Sequence, residues 1–245
     1  LAAQSTLMCT VTYLPTGHDE FLFTSNRDEA PNRSASLLQM EERSGKKLLY
    51  PQDSLAKGTW IATANHNQLV CILNGAYTLH RHQPPYRLSR GIMALEFFTY
   101  RDAQHFAKEF DFEGMEPFTM VIYDRGQLID LRWDEEQLHF TELNAQQPHL
   151  WASATLYDAI QQEKRHRWFA EWLNQHQSYR SEDILHFHHT AGDGDPASDI
   201  IMNRMNMVRT TSITHIVKTK DRSHLQYEPL LNGQIKKQEL ELITS

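Results

Sequence analysis

The sequence is poor in cysteine, with only Cys9 and Cys71 among its 245 residues. Two cysteines cannot supply a disulfide framework, so disulfides do not organise this fold. The chain also lacks an apolar run of the length that spans a bilayer, which is about 20 residues. Residues 1–7 have neither a basic start nor a long apolar stretch, and such a segment is not a secretory signal.

Positive charge is scarce as well. The net charge is −7, and no run of lysine and arginine is longer than a pair. This balance disfavours a nucleic-acid binder, which usually carries a basic face. Hydrophobic residues make up 40% and charged residues 22%, as in an ordinary soluble protein. We therefore expect a cytoplasmic protein that binds a small-molecule ligand or substrate, without a nucleic-acid partner and without a membrane span. The sequence does not determine its oligomeric state.

The chain shows no internal repeat, no low-complexity tract and no linker that would divide it. Its length suits one large domain, and we predict a single domain over residues 8–245. Residues 1–7 are expected to be a leader or a remnant of recombinant expression, because no initiating methionine precedes them.

Strands are predicted in groups, joined as hairpins, with batches of helices between them. The strands are predicted at residues 8–14, 20–26, 58–64, 68–74, 118–124, 126–133, 136–143, 207–218 and 224–229. The helices are predicted at residues 90–99, 102–110, 157–175 and 182–188, the last capped by Ser181. The polar segment 27–57 is predicted to be one long loop. Grouped elements indicate an α+β fold rather than alternating βαβ units.

The first predicted hairpin carries the chemistry of greatest interest. A chain that begins at Cys9 would join a thiol and a free α-amine in one residue, which gives a nucleophile and its base. The hairpin returns Asn26, Arg27 and Asp28 to the neighbourhood of Cys9, since its two strands are about equally long. Arg27 would lower the pKa of the thiol, and Asp28 would hold the amine. The residues alone leave open that Cys9 is a buried strand residue and that Arg27 and Asp28 form a loop salt bridge.

Five short runs occur along the chain: MC at 8–9, NRDE at 26–29, GTW at 58–60, SRG at 89–91 and RTTS at 209–212. With them, the chain resembles the NRDE family, also called the transport and Golgi organisation family, from about residue 8 to about residue 218. This resemblance implies the N-terminal nucleophile (Ntn) hydrolase fold, a four-layer αββα sandwich.

A more distant resemblance, to choloylglycine hydrolases and penicillin V acylases, implies a mechanism. It makes Cys9 the nucleophile and Asp28 the group that binds its α-amine. It also makes Asn74 a donor to the oxyanion and Arg209 a group that polarises the site.

The chain departs from those hydrolases at two positions. Ser25 stands where they have arginine, and Arg27 lies beside Asp28 instead. Ser153, in the segment 153–156, stands where they have a second oxyanion asparagine. A serine hydroxyl reaches less far than an asparagine amide, so both changes bear on how efficiently an amide would be cleaved.

Four residues are expected to contact a ligand: Asn26, Trp60, Tyr77 and Ser153. Trp60 suits either the core or a pocket wall. The loop that holds Tyr77, His80 and His82 suits either a pocket mouth or a mobile surface loop. No metal site is predicted, because the histidine clusters lack HExxH spacing or a CxxC companion.

Three functions follow as hypotheses. The first is an amidohydrolase that acts on a small N-acyl compound through an acyl-Cys9 intermediate and needs no cofactor. The second, implied by the family resemblance, is a haem or lipid/acyl-CoA binding and trafficking protein, in which Cys9, His80 or His82 ligates haem iron. The third is a pseudo-enzyme that keeps the fold alone.

Overall fold

The computed structural model describes residues 8–31, 33, 35–155 and 157–243, without the side chains of residues 8, 9, 35 and 36. Three features of the sequence analysis lie outside these described residues: the segment 1–7, the thiol of Cys9 and residue Leu156.

Within the described residues, fourteen strands form two seven-stranded antiparallel sheets. The strands are β1 (Met8–Gly17), β2 (Glu20–Glu29), β3 (Ala35–Arg43), β4 (Lys46–Asp53), β5 (Ile61–Ala64), β6 (Gln68–Asn74), β7 (Phe118–Asp124), β8 (Gln127–Trp133), β9 (Leu138–Leu143), β10 (His149–Ala152), β11 (Asn203–Arg204), β12 (Val208–Lys218), β13 (Arg222–Pro229) and β14 (Lys236–Glu241). Sheet A has the order β10-β1-β2-β12-β13-β14, with β11 paired to β12. Sheet B runs from β3 to β9 in chain order.

The helices are α1 (Arg90–Glu96), α2 (Ala103–Glu109), α3 (Ala159–Gln175) and α4 (Ser181–Thr190), with a 3-10 turn at Phe97–Thr99. Ser181 was expected to cap α4, but it is the first residue of the helix, and the N-cap is Arg180. The Ser181 hydroxyl instead shares a hydrogen bond of 3.0 Å with the His215 ring. No helix in the part of the chain described here is long and apolar enough to cross a membrane.

Three apolar clusters join these elements. The first fills the space between the two sheets and includes Val11, Phe23 and Val121. The second packs α1 and α2 on sheet B, and the third packs α3 and α4 on sheet A. Helix α3 was predicted at 157–175, and Trp168 and Trp172 on its buried face belong to the third cluster. The result is a sheet-on-sheet sandwich with helices packed against its sheets.

The prediction of a loop at 27–57 was wrong. Strand β2 continues to Glu29, and β3 and β4 form a hairpin within the segment. Ser44 and Gly45 form its two-residue turn, with φ of 50° and 77°. Positive φ at both turn residues matches the twist of a tight hairpin, and a Ser-Gly pair is a signal for it. The alternation was hidden because charged residues flank the turn at 41–43 and 46–47, and two apolar residues of β3, Leu37 and Met40, are exposed.

Candidate functional site

The end of the first hairpin lies at the head of β1, as the sequence predicts. In the register of β1 and β2, Cys9 is opposite Arg27 and Met8 is opposite Asp28. The pleat of β2 then sends successive side chains to opposite faces of sheet A. Asp28 points to the helices and Arg27 to sheet B, so the expected single constellation of cation and carboxylate is divided between two faces.

Asp28 is fully buried on the helix face. The Tyr157 hydroxyl donates to one carboxylate oxygen and the Thr210 hydroxyl donates to the other, each at 2.6 Å. Burial raises the pKa of Asp28 to about 6, although the hydrogen bonds from Thr210 and Tyr157 and the charge of Arg165 act to lower it. A carboxyl group with such a pKa can change its protonation state near neutral pH.

Arg165, in α3, packs against the Tyr157 side of this network. It is fully buried, its guanidinium lies 3.4 Å from the centre of the Tyr157 ring, and its Nε donates to the Thr10 hydroxyl at 3.1 Å. A β-bulge between Thr210 and Ser212 shifts the register of β12 where it passes β2. Helix α3 and this bulge thus position two hydroxyls on one carboxylate.

Arg27 makes a separate network on the opposite face. Its guanidinium donates to Asp53 at 2.6 Å, lies 3.5 Å from Glu29 and stacks over the Trp60 ring at 4.4 Å. Arg33 joins the same two carboxylates at 3.0 and 3.2 Å. Two acids therefore share the charge of two arginines, and this balance limits what Arg27 can do for a neighbouring thiol.

The two acids of this network differ because their partners differ. Burial raises the pKa of Glu29 despite the charges of Arg27 and Arg33. Burial also opposes ionisation of Asp53, but main-chain N–H donors and both arginines hold its pKa below the ordinary value. Asp53 has the shorter contacts to the two arginines, so its ionised form is the better stabilised of the two.

Asn26 was expected to contact a ligand, but its amide is committed to the fold. It is fully buried, its nitrogen donates to the main-chain oxygens of His188 and Ile200 at 3.0 and 3.2 Å, and its oxygen bonds the His188 ring. Thr12 bonds the other ring nitrogen at 2.8 Å. Asn26 therefore anchors the end of α4, and a ligand contact would break these bonds.

The structure brings two other predicted residues together. Asn74, at the end of β6, is 2% exposed and Ser153 is 1% exposed. The Ser153 hydroxyl donates to the Asn74 main-chain oxygen at 2.8 Å, so its proton is directed to the protein. The Asn74 side-chain oxygen is buried and has no hydrogen-bond partner among the described residues. This oxygen can accept a hydrogen bond from a ligand, whereas donation to an oxyanion has to come from the amide nitrogen.

A cleft of about 590 Å³ lies beside these residues. Tyr77 and Leu79 are on its wall, with exposures of 50% and 74%, and Tyr157 and Arg204 also line it. Since Tyr157 bonds Asp28, the cleft borders the carboxylate network. Tyr77 thus lines this cleft, and its contact with a ligand stays a prediction.

The remaining predicted residues lie apart from this cleft. Trp60 is 1% exposed and lies under Arg27. Arg209 is opposite Glu29 in the register of β12 and β2 and is half-buried. His80 and His82 both contact Glu116, at 3.3 and 3.2 Å. No group of three or more metal-ligating side chains is found in the described part of the chain.

Sequence reasoning missed Tyr157, Thr210 and Arg165. Thr210 lies in the RTTS run, which was noted only for the family resemblance and for Arg209. Tyr157 lies just before α3 and Arg165 lies within it, and no local pattern marks either as a partner of a strand residue.

Comparisons with known proteins agree with this geometry at the level of the fold. Two variants of a conjugated bile acid hydrolase from Clostridium perfringens are 11% identical, with TM-scores of 0.60 and 0.61 and 97% of both chains covered. An ortholog of N-acylethanolamine-hydrolyzing acid amidase from Caenorhabditis elegans is 10% identical, with a TM-score of 0.56, over 85% of this chain and 92% of that one. At such identities the likeness shows a shared fold alone. No curated protein sequence matches the chain significantly.

The family itself is shown by sequence. The profile of Transport and Golgi organisation 2 matches residues 8–225, which is most of the chain and includes the NRDE run. The expected resemblance is confirmed, and the chain belongs to the Transport and Golgi organisation 2 family.

Proposed function

We propose that this chain is a cysteine amidohydrolase of the N-terminal nucleophile type, which cleaves a small N-acyl compound through an acyl-Cys9 intermediate. The proposal includes the αββα order of four layers. It is supported by the three apolar clusters, one between the sheets and one between each sheet and its helices.

The reaction needs Cys9 at the start of the chain. Its α-amine takes the thiol proton, and the thiolate attacks the carbonyl carbon as the π electrons move to oxygen. Collapse of this intermediate breaks the C–N bond, and the departing amine takes the proton from the α-ammonium. Water then loses a proton to the α-amine and attacks the thioester, which expels the thiolate and leaves the free carboxylic acid; the thiolate takes the proton back from the α-ammonium.

Asp28 holds the α-amine in this scheme, and one observation carries the assignment. In the hairpin register, Asp28 is opposite Met8 and Arg27 is opposite Cys9. An amine created between residues 8 and 9 would therefore appear beside a buried carboxylate that two hydroxyls already orient. Ionic contact with the ammonium form would favour the charged carboxylate, as opposite charges do.

The other roles follow from what each side chain has left to offer. The Asn74 side-chain nitrogen donates to the oxyanion, an interaction that is worth roughly 3–4 kcal/mol in other enzymes, and the buried side-chain oxygen takes no part in that bond. Arg209 polarises the carbonyl, Ser153 positions Asn74, and Tyr77 contacts the acyl group in the cleft. Arg27 acts as a positioning residue, because its charge is shared with Asp53.

The test is hydrolysis of N-acyl aminocoumarins with acyl chains of 2 to 12 carbons, followed by fluorescence. Cys9→Ala should lower kcat/KM by more than about a thousandfold, as loss of a nucleophile does. Cys71→Ala is the matched control, because Cys71 is fully buried and burial raises its pKa to about 12. If Cys9→Ala and Cys71→Ala both hydrolyse the substrates as fast as the parent chain, the proposal is wrong.

A second function, binding of a lipid or acyl-CoA without turnover, is favoured by the exposed Tyr77 and Leu79 at the same cleft. Two results together would favour this function. The chain would hydrolyse no member of the acyl series, and it would bind a fluorescent acyl-CoA saturably, with binding abolished by Leu79→Asp. Hydrolysis that needs Cys9 would exclude it as the principal activity.

A further inference from the structure

A second, smaller cavity lies on the sheet B side of the first hairpin. Its volume is about 120 Å³, and it shares no lining residue with the cleft at Tyr157. Six residues on its wall matter here: Arg33, Asp53, Trp60, Ser89, Arg90 and Glu116. At about 30 Å³ for each water, the space suits a molecule of only a few heavy atoms.

Two glycines build the wall of this cavity. A Cβ on Gly58 would lie 2.4 Å from the main-chain carbon of Gly91, and a Cβ on Gly91 would lie 2.9 Å from the Thr59 oxygen. Only glycine permits this approach, which a hydrogen bond of 3.1 Å from Thr59 N–H to the Gly91 oxygen completes. The contact joins the GTW run to the SRG run and so brings Trp60 and Arg90 to one space.

The acids on the wall have partners already. One Asp53 oxygen accepts from the N–H groups of residues 55 and 56, and the other accepts from Arg27 and Arg33. One Glu116 oxygen contacts His80 and His82, and the other contacts Arg90 at 2.9 Å. Each oxygen of the two carboxylates therefore already has a partner in the protein.

The hydrogen-bond donors on the wall, in contrast, still have N–H groups available to a ligand. Trp60 is 1% exposed, and its buried indole N–H has no acceptor among the residues described. An unpaired buried donor is costly, and a ligand that accepts a hydrogen bond removes that cost. The Arg90 guanidinium, 3% exposed, has five N–H groups, of which contacts to the Pro117 oxygen and Glu116 engage two nitrogens. Arg33 adds a third donor group at the rim.

We propose that this cavity binds a small carboxylate, free or as the end group of a longer acid, through Trp60, Arg33 and Arg90. A planar carboxylate matches the flat guanidinium fork and brings one negative charge. The larger charge of a phosphate would face Asp53 and Glu116. The proposal does not rest on the hydrolase, because Trp60, Arg33 and Arg90 have no role in the proposed reaction.

The experiment follows the indole N–H resonances by NMR in the Cys9→Ala chain, so that failure of the hydrolase proposal cannot affect it. Trp60→Phe identifies the Trp60 resonance. Sodium acetate, added at constant ionic strength against sodium chloride, should move that resonance downfield and saturate. Acetamide, which is uncharged and of equal size, should bind at least tenfold more weakly.

Arg33→Gln is the variant that tests the charge, because Arg33 is at the rim and 15% exposed. It should weaken acetate binding at least tenfold, whereas Arg43→Gln, in a half-buried ion pair that does not line this cavity, should not. Hexanoate then shows whether the natural ligand is a free small acid or the end group of a longer acid. If hexanoate binds as tightly as acetate, the end of a longer acid is indicated; if it binds more weakly than acetate, a free small acid is indicated. A Trp60 resonance unmoved by 100 mM acetate, or moved equally by acetamide, would overturn the proposal.

Discussion

Replacing Asp28 by asparagine tests the carboxylate network through its dependence on pH. The pKa of Asp28 rises from an ordinary 3.8 to about 6 because the group is buried. Between these two values the folded chain holds a proton that the unfolded chain has lost. Unfolding then releases the proton, so stability falls as pH rises through this window and is constant above it.

The size of the effect follows from the two pKa values. A difference of about two pH units corresponds to about 3 kcal/mol, at about 1.4 kcal/mol for each unit. About 2 kcal/mol of this change falls between pH 4.5 and pH 7.5, where urea unfolding can be measured. Asp28→Asn removes the titration, so the parent chain should lose about 2 kcal/mol relative to the variant over that range.

The difference between the two proteins is the quantity to measure, because titrations of other groups cancel in it. An asparagine can keep the contacts, accepting from Tyr157 while its nitrogen donates to Thr210, whose own proton turns to the Ile200 oxygen 3.2 Å away. Asp111→Asn, at a side chain that is 67% exposed, is the control for losing a carboxylate. A parent-minus-variant difference that stays constant within about 0.5 kcal/mol from pH 4.5 to pH 7.5 would refute the reasoning.

Three further predictions concern single side chains. Asn26→Ala should lower the free energy of unfolding by roughly 2 kcal/mol or more, since it leaves buried polar groups unpaired, while KM stays unchanged; a changed KM with full stability would contradict this. Gly58→Ala should lower the free energy of unfolding in urea by more than about 2 kcal/mol, because the new Cβ would lie 2.4 Å from the main chain of Gly91. Gly45→Ala is the control: its φ is +77° but the space around it is open, so it should lower the free energy of unfolding by about 1 kcal/mol. Asn74→Ala should lower kcat by about 100-fold or more in the aminocoumarin assay; an unchanged kcat would remove Asn74 from the site.

Much of the sandwich could be predicted because its signals are local. The alternation of aromatic and β-branched residues fixes the first hairpin, and with it the pairing of Cys9 with Arg27. Trp168 and Trp172 mark α3 by a different local signal, since residues four apart lie on one face of a helix. The hairpin of β3 and β4 was missed because its strands carry charge on the exposed face, and the Ser44-Gly45 turn was the signal that could have found it.

The site was harder to predict because its partners are distant in sequence. Tyr157 and Thr210 follow Asp28 by 129 and 182 residues, and only the packing of α3 and the bulge in β12 bring them there. The division of Arg27 from Asp28 follows from the pleat of β2, once the strand is known to extend to Glu29. The prediction ended that strand at residue 26 and so could not use this alternation.

The central claim is that Cys9 becomes a nucleophile when its α-amine is free. The most direct measurement is the intact mass of two forms, one beginning at Cys9 and one retaining Met8, after treatment with an N-acyl β-lactone. The account predicts one added acyl group, mapped to Cys9, in the form that begins at Cys9, and none in the other form. Equal acylation of both forms, or acylation of neither while Cys9-dependent hydrolysis is absent, would contradict it.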